Sequence, residues 1–203
     1  MIWLVVLTAY LIGGLPFSYW LVRWQRPGSD LRLLGSGNAG ATNALRVGGK
    51  AIGLSTLTLD VLKGWVSVEL ARELGIDGSA LGAVAAAAVV GHVAPIWLGF
   101  RGGKGVATAG GGLLSLAPWA VAAAAIVFLV VVVATRIVAL GSVAAALTLP
   151  LAHWLTEVPL AAGQPVIGWI VLISLLVVGR HQANLRRWWS GDEARLGANV
   201  EDL

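Results

Sequence analysis

The sequence predicts an all-α integral membrane protein, a bundle of seven transmembrane helices with the N-terminus outside and the C-terminus in the cytoplasm. Three observations carry that reading. Of 203 residues, 58% are hydrophobic and only 12% are charged, far from the balance of a soluble domain. The apolar residues come in runs, several of them long enough to cross a hydrocarbon core about 30 Å thick. The basic residues sit at the ends of those runs, as membrane topology requires. The net charge of +4 is therefore no sign of nucleic-acid binding. There is no cysteine, which excludes disulfides, thiolate metal sites and a thioester acyl-enzyme. His92, His153 and His181 are far apart and show no ligand spacing, so neither a metal nor a cofactor is expected. The chain reads as one membrane-embedded domain over residues 1–203.

The spans follow in order. Residues 2–22 are apolar, carry no charge near the start and show no small-residue cleavage site, so they read as a retained helix and not a signal peptide. Gly13, Gly14 and Pro16 predict a bend or close packing within it. The next loop carries Arg23, Arg26, Arg32, Arg46 and Lys50 against Asp30 alone, which places it in the cytoplasm. Residues 51–71 form the second span and contain Asp60 and Lys63, one helical turn apart. That spacing fits an ion pair within the helix, and equally a Lys63 that faces an anion site. Residues 80–98 return inward. A single long helix from residue 106 to 134 would put Arg136, and later Arg180, Arg186 and Arg187, on the outside. Two shorter passes, 106–116 and 118–134, divided by Pro118, correct this. Spans at 137–155 and 165–179 complete seven. The tail from Ser190 to Leu203 is polar and is expected either to lie on the membrane surface or to be disordered beyond Ala198.

Three polar clusters interrupt the hydrocarbon. The first, residues 35–46, supplies Gly35, Gly37 and Gly40 with Ser36, Asn38, Thr42, Asn43 and Arg46. The second supplies Gly102, Gly103, Lys104 and Gly105. The third supplies Arg180, His181 and Asn184. Glycine-rich backbone beside a cation makes an anion-binding nest. Two look-alikes fail. The first cluster spells a dinucleotide fingerprint but has no strand before it. The second lacks the spacing and the Ser or Thr of a P-loop. In the seven-span arrangement all three clusters face the cytoplasm. Several cations over glycine-rich backbone suit more than one phosphate, and a membrane setting suits an acyl chain. Acyl transfer from an activated phosphate needs a neutralised leaving group, a stabilised oxyanion and a proton acceptor, either His181 or the acceptor's own phosphate. The competing class is a small transporter of a phosphorylated or anionic solute. It should show an internal repeat and a polar path across the whole bilayer, and neither is visible.

The blocks Gly-Ser-Gly-Asn-Ala-Gly-Ala-Thr-Asn at 35–43, Asp-Val-Leu-Lys-Gly at 60–64, Gly-His-Val-Ala-Pro at 91–95, Gly-Gly-Lys-Gly-Val-Ala-Thr at 102–108 and Arg-His-Gln-Ala-Asn-Leu-Arg-Arg at 180–187 span most of the chain. In that order they resemble the bacterial membrane acyl-phosphate:glycerol-3-phosphate acyltransferases. The resemblance implies a seven-helix enzyme of the cytoplasmic (inner) membrane, active as a monomer with its site facing the cytoplasm. It implies transfer of an acyl group from acyl-phosphate to glycerol 3-phosphate, giving lysophosphatidic acid and phosphate, without acyl-CoA or acyl carrier protein as direct donor. Carried onto this chain, it implies activity roles for Ser36, Arg46, His181 and Asn184. It implies glycerol-3-phosphate binding at residues 102–105 with Lys104, and a structural role for Glu193. Arg46 and Lys104 are assigned to glycerol 3-phosphate, and the 36–43 backbone with Asn184 to the acyl-phosphate. Lys63 and Arg180 are candidate substrate contacts.

Overall fold

The computed structural model describes residues 1–156 and 166–197, and the alternative of disorder beyond Ala198 lies outside them. Among the described residues every regular element is helical. The elements are α1 (Ile2–Gly13), α2 (Phe17–Gln25), α3 (Ala41–Glu73), α4 (Gly78–Val93), α5 (Val106–Leu114), α6 (Pro118–Thr135), α7 (Val138–Thr156), α8 (Ile167–Arg180) and α9 (Gln182–Ser190). Among the described residues five helical segments are long and apolar enough to cross a membrane. A sixth arises if α8 and α9, bent by 47° at His181, count as one span. The nine residues of α5 reach only about 13 Å and fall short of the 30 Å core.

The helix breaks near Pro16. α1 stops at Gly13 and α2 starts at Phe17, because a proline cannot donate into the preceding turn. A larger departure occurs at the second span. Its helix begins ten residues earlier than expected, at Ala41, and turns sharply at Gly49 (φ 81°, ψ −177°). That backbone is open to glycine and closed to most other residues. The turn folds the first two helical turns back, so that a Cβ added at Gly53 would lie 2.5 Å from the Leu45 Cβ. In a straight helix those positions stand about 12 Å apart.

Packing is backbone against backbone. A Cβ at Gly64 would stand 2.2 Å from the Thr108 carbonyl oxygen, and one at Gly111 would stand 1.9 Å from that of Val61, which locks α5 onto α3. Gly13 meets Ala88, and Gly91 meets Tyr10, in the same way between α1 and α4. Small residues permit such approaches where lipid offers helices no hydrophobic drive to associate. α6 packs on α7 and α7 on α8. Trp3, Trp24, Trp97, Trp154 and Trp189 lie exposed, near the ends of apolar segments or on α9, as interfacial anchors do.

Two contacts fix which ends lie together. The Arg72 guanidinium donates to the Ser115 carbonyl (3.0 Å), which puts the end of α3 beside the end of α5. At the opposite end the Leu196 N–H donates to the Arg136 carbonyl (2.6 Å) and Arg136 donates back to Leu196 (2.9 Å). The chain after α9 is thereby tied across to the α6–α7 junction.

Candidate active site

The three sequence clusters meet in one cavity of about 300 Å³. Ser36, Asn38, Gly40, Thr42, Asn43, Arg46, Lys104, Gly105, His181, Asn184 and Glu193 line its polar end. Two helices start there. α3 is capped by Gly40 and α5 by Gly105, and neither start has a side-chain cap. The first-turn N–H groups of an uncapped helix need an acceptor and carry the positive end of the helix dipole. Ala41 and Thr42 of α3, and Val106 and Ala107 of α5, all line the cavity. A phosphate is the ligand such a helix end holds best.

Lys104 stands beside the start of α5. Its ammonium donates to Asn184 Oδ1 (2.5 Å), and Asn184 Nδ2 donates to Glu193 Oε1 (2.6 Å). Glu193 Oε2 accepts from Arg187 Nε (2.9 Å). This sequence of partners fixes the orientation of the Asn184 amide, oxygen to the cation and nitrogen to the carboxylate. Burial pushes the Lys104 ammonium down to about 8, opposed by Glu193 and assisted by Arg187, Arg46 and Arg180. His181 is 2% exposed, and its Nδ1 lies 2.7 Å from the Val177 carbonyl. Nδ1–H donates there, so Nε2 is left as the acceptor. Arg46 reaches the Ala194 carbonyl at 3.5 Å, a weak bond that leaves its guanidinium available to an anion.

Other expected site residues serve the walls instead. Asn43 lines the cavity, but its amide is spent: Oδ1 accepts from the Ser36 N–H (3.0 Å), and Nδ2 donates to the carbonyls of Leu34 (2.9 Å) and Leu31 (3.3 Å). It braces the loop over the start of α3. Gly35 and Gly37 are absent from the lining; their positive φ angles, 56° and 68°, shape that loop. Gly102 and Gly103 donate to the carbonyls of Val93 (3.1 Å) and His92 (3.0 Å), so their N–H groups form no nest. They allow close approach, since a Cβ at Gly103 would fall 2.1 Å from His92 Nε2. Lys63 does not line the cavity: it pairs with Asp60 (2.7 Å) and donates to the Leu15 carbonyl (3.0 Å), because α3 turns it toward the break between α1 and α2. Arg180 is exposed and outside the lining. Asn184 lines the cavity with both ends of its amide already engaged.

Two further features complete the cavity, one of residues that the sequence left open between packing and ligand contact and one that it did not show. Asp60 and His92 both line the cavity. Beyond the polar end the cavity continues as an apolar groove along Val121, Phe128, Ala145, Leu149 and Ile173 of α6, α7 and α8. The signal was the small-residue face of α7, where Ala139, Ser142, Ala145 and Ala146 leave space that larger side chains would fill.

The profile of the family described as "Glycerol-3-phosphate acyltransferase" matches residues 3–191. A glycerol-3-phosphate acyltransferase of Syntrophotalea carbinolica is 46% identical over 97% of this chain and 98% of its own length. One from Pseudomonas aeruginosa is 45% identical over 95% and 98%. Two crystal structures of PlsY (YgiH), an integral membrane glycerol 3-phosphate acyltransferase, superpose on the fold. The glycerol 3-phosphate form has a TM-score of 0.87 at 36% identity, covering 97% of this chain and 96% of that one. The lysophosphatidic acid form has a TM-score of 0.85 at 35% identity, covering 97% and 95%.

Proposed function

The chain belongs to the glycerol-3-phosphate acyltransferase family, membrane enzymes of phospholipid synthesis, and we propose that it moves an acyl group from acyl-phosphate directly onto glycerol 3-phosphate within this one cavity. One observation carries the reading: two uncapped helix starts, each with a cation nearby, share a cavity that runs into an apolar groove. Two phosphates and one acyl chain are what that arrangement accommodates.

The start of α5 with Lys104 holds the phosphate of glycerol 3-phosphate. The start of α3, with the hydroxyls of Ser36 and Thr42, holds the phosphate of the donor, whose chain lies in the groove. Arg46, in the second turn of α3, offsets the charge of the two phosphates together. The acceptor's primary hydroxyl oxygen attacks the acyl carbon, and His181 Nε2 takes its proton. The tetrahedral adduct collapses as the bond from carbon to phosphate oxygen breaks, and inorganic phosphate leaves with the electron pair. Helix-end N–H groups stabilise the developing oxyanion. The proton then passes from His181 to the departing phosphate. Asn184 and Glu193 position Lys104.

The same placement supports seven passes. The contact of Arg72 puts the α5–α6 junction at one end of the bundle, whereas α5 starts at cavity-lining Gly105 and α6 ends at Arg136, tied to Leu196 two residues beyond cavity-lining Ala194, so that α5 and α6 run in opposite directions. Arg23, Arg26, Arg46, Lys104, Arg136, Arg180 and Arg187 then lie toward the cavity end, which supports a cytoplasmic site in the bacterial inner membrane with the N-terminus outside.

The test supplies palmitoyl-phosphate and glycerol 3-phosphate to purified protein in lipid, without metal. Lysophosphatidic acid and phosphate should appear one for one, and palmitoyl-CoA should give neither. Equal turnover of the thioester would overturn the donor assignment. A pH dependence follows from Lys104. Its charged form binds phosphate, and in the free enzyme that form is lost above about 8. kcat/KM for glycerol 3-phosphate should therefore fall about tenfold per pH unit above that value, while kcat, which reports the bound state, stays flatter. Initial rates from pH 6 to 10 check this.

A further inference from the structure

Asp60 is a carboxylate in a cavity otherwise built for anions. It is 2% exposed, lines the cavity, and pairs through Oδ1 with Lys63 at 2.7 Å. The pair is one-sided. Lys63 is turned away, held by the Leu15 carbonyl at 3.0 Å and by the Phe17 ring, whose centroid lies 5.7 Å from Nζ. Only the negative end of the pair faces the cavity. A buried ion pair is no cheaper than apolar packing, so stability alone does not account for it. Its sign is wrong for phosphate and right for a hydroxyl donor. Oδ1 also has His92 Nδ1 at 3.6 Å, which leaves acceptor capacity on Oδ2. The other lining carboxylate, Glu193, has both oxygens engaged, by Asn184 and Arg187.

Its position is also defined. His92 stands beside Asp60, its ring presses on Gly103, and Lys104 is the next residue. Asp60 therefore lies within a few residues' breadth of the cation that takes the acceptor's phosphate.

We propose that Asp60 accepts a hydrogen bond from the secondary hydroxyl of glycerol 3-phosphate. It holds the three-carbon acceptor between itself and Lys104, so that the primary hydroxyl is the one presented to the acyl carbon. Lys63 is the positioning residue that keeps Asp60 charged and aimed. The inference rests on the acyltransferase reading above, and the experiment separates the two.

The experiment measures kcat/KM for glycerol 3-phosphate and for 3-hydroxypropyl phosphate, which lacks only the secondary hydroxyl, with palmitoyl-phosphate as donor. Wild-type turnover of glycerol 3-phosphate tests the acyltransferase reading by itself. The ratio of the two constants tests Asp60. A site that hydrogen-bonds a hydroxyl strongly rejects the analogue without it, so the wild-type ratio should be at least about a hundredfold. In Asp60→Asn and in Asp60→Glu it should fall at least about tenfold. The second variant keeps the charge beside Lys63 while shifting the carboxylate by one methylene. The double variant Asp60→Asn with Lys63→Met, which leaves no unpaired charge, should fall likewise. A purely structural role slows both acceptors equally and leaves the ratio unchanged. A wild-type ratio near one, or a ratio preserved in any of these variants that folds, overturns the proposal.

Discussion

Lys104→Ala should lower kcat/KM for glycerol 3-phosphate about a thousandfold, most of it as a higher KM. The ammonium is the cation beside the start of α5, and it is held there by Asn184 at 2.5 Å. Truncating one partner of a buried, hydrogen-bonded charge pair costs about 2–5 kcal/mol, or roughly 30- to 4,000-fold. A lysine bound to a phosphate dianion belongs near the top of that range, because the remaining cation, Arg46, is shared with the donor phosphate and backbone N–H groups carry no full charge. Lys104→Arg should fall between the two. A guanidinium keeps the charge, but its fork does not fit the point contact with Asn184 Oδ1. Steady-state kinetics with acceptor varied at saturating palmitoyl-phosphate read the effect, with thermal unfolding as a check on the fold. A loss confined to kcat would place Lys104 on the leaving group instead.

The second large effect is expected at His181. Removing a general base costs about 10²- to 10⁴-fold. His181→Ala should therefore lower kcat by at least about a hundredfold with KM for either substrate within a fewfold of wild type. His181→Gln fills more of the space and can still donate to a carbonyl, but it cannot take a proton, so it should be as slow as the alanine variant. The geometry suits a base: Nδ1–H is committed to the Val177 carbonyl, and in the neutral ring Nε2 is then the acceptor. A variant that raises KM and spares kcat would reverse the assignment, and the proton would then go straight to a substrate phosphate.

Much of this site was legible in the sequence because membranes make polar residues conspicuous. Ser36, Thr42, Arg46, Lys104, His181 and Asn184 stand out from hydrocarbon, and all six line the cavity. The breaks at Pro16 and Pro118 were legible because proline removes a donor. Direction was not legible. Asp60 and Lys63 are one turn apart in the sequence, yet α3 sends the carboxylate to the cavity and the ammonium to the α1–α2 break. Only the packing of α3 against its neighbours decides that. The early start of α3 was hidden by glycine: Gly48 and Gly49 read as loop, whereas Gly49 is a sharp turn joining two helical stretches. The two uncapped helix starts escaped for the same reason, since Gly40 and Gly105 look like flexible backbone and are helix boundaries. The apolar groove left no motif, because it is made by what α7 lacks.

The central claim is that both substrates occupy one cavity at once and that the acyl group passes between them without resting on the protein. Initial rates over a grid of acyl-phosphate and glycerol 3-phosphate concentrations test it most directly. Double-reciprocal plots should intersect, the pattern of a ternary complex. Parallel lines, together with an acyl group recovered on Ser36 when the acceptor is omitted, would contradict it.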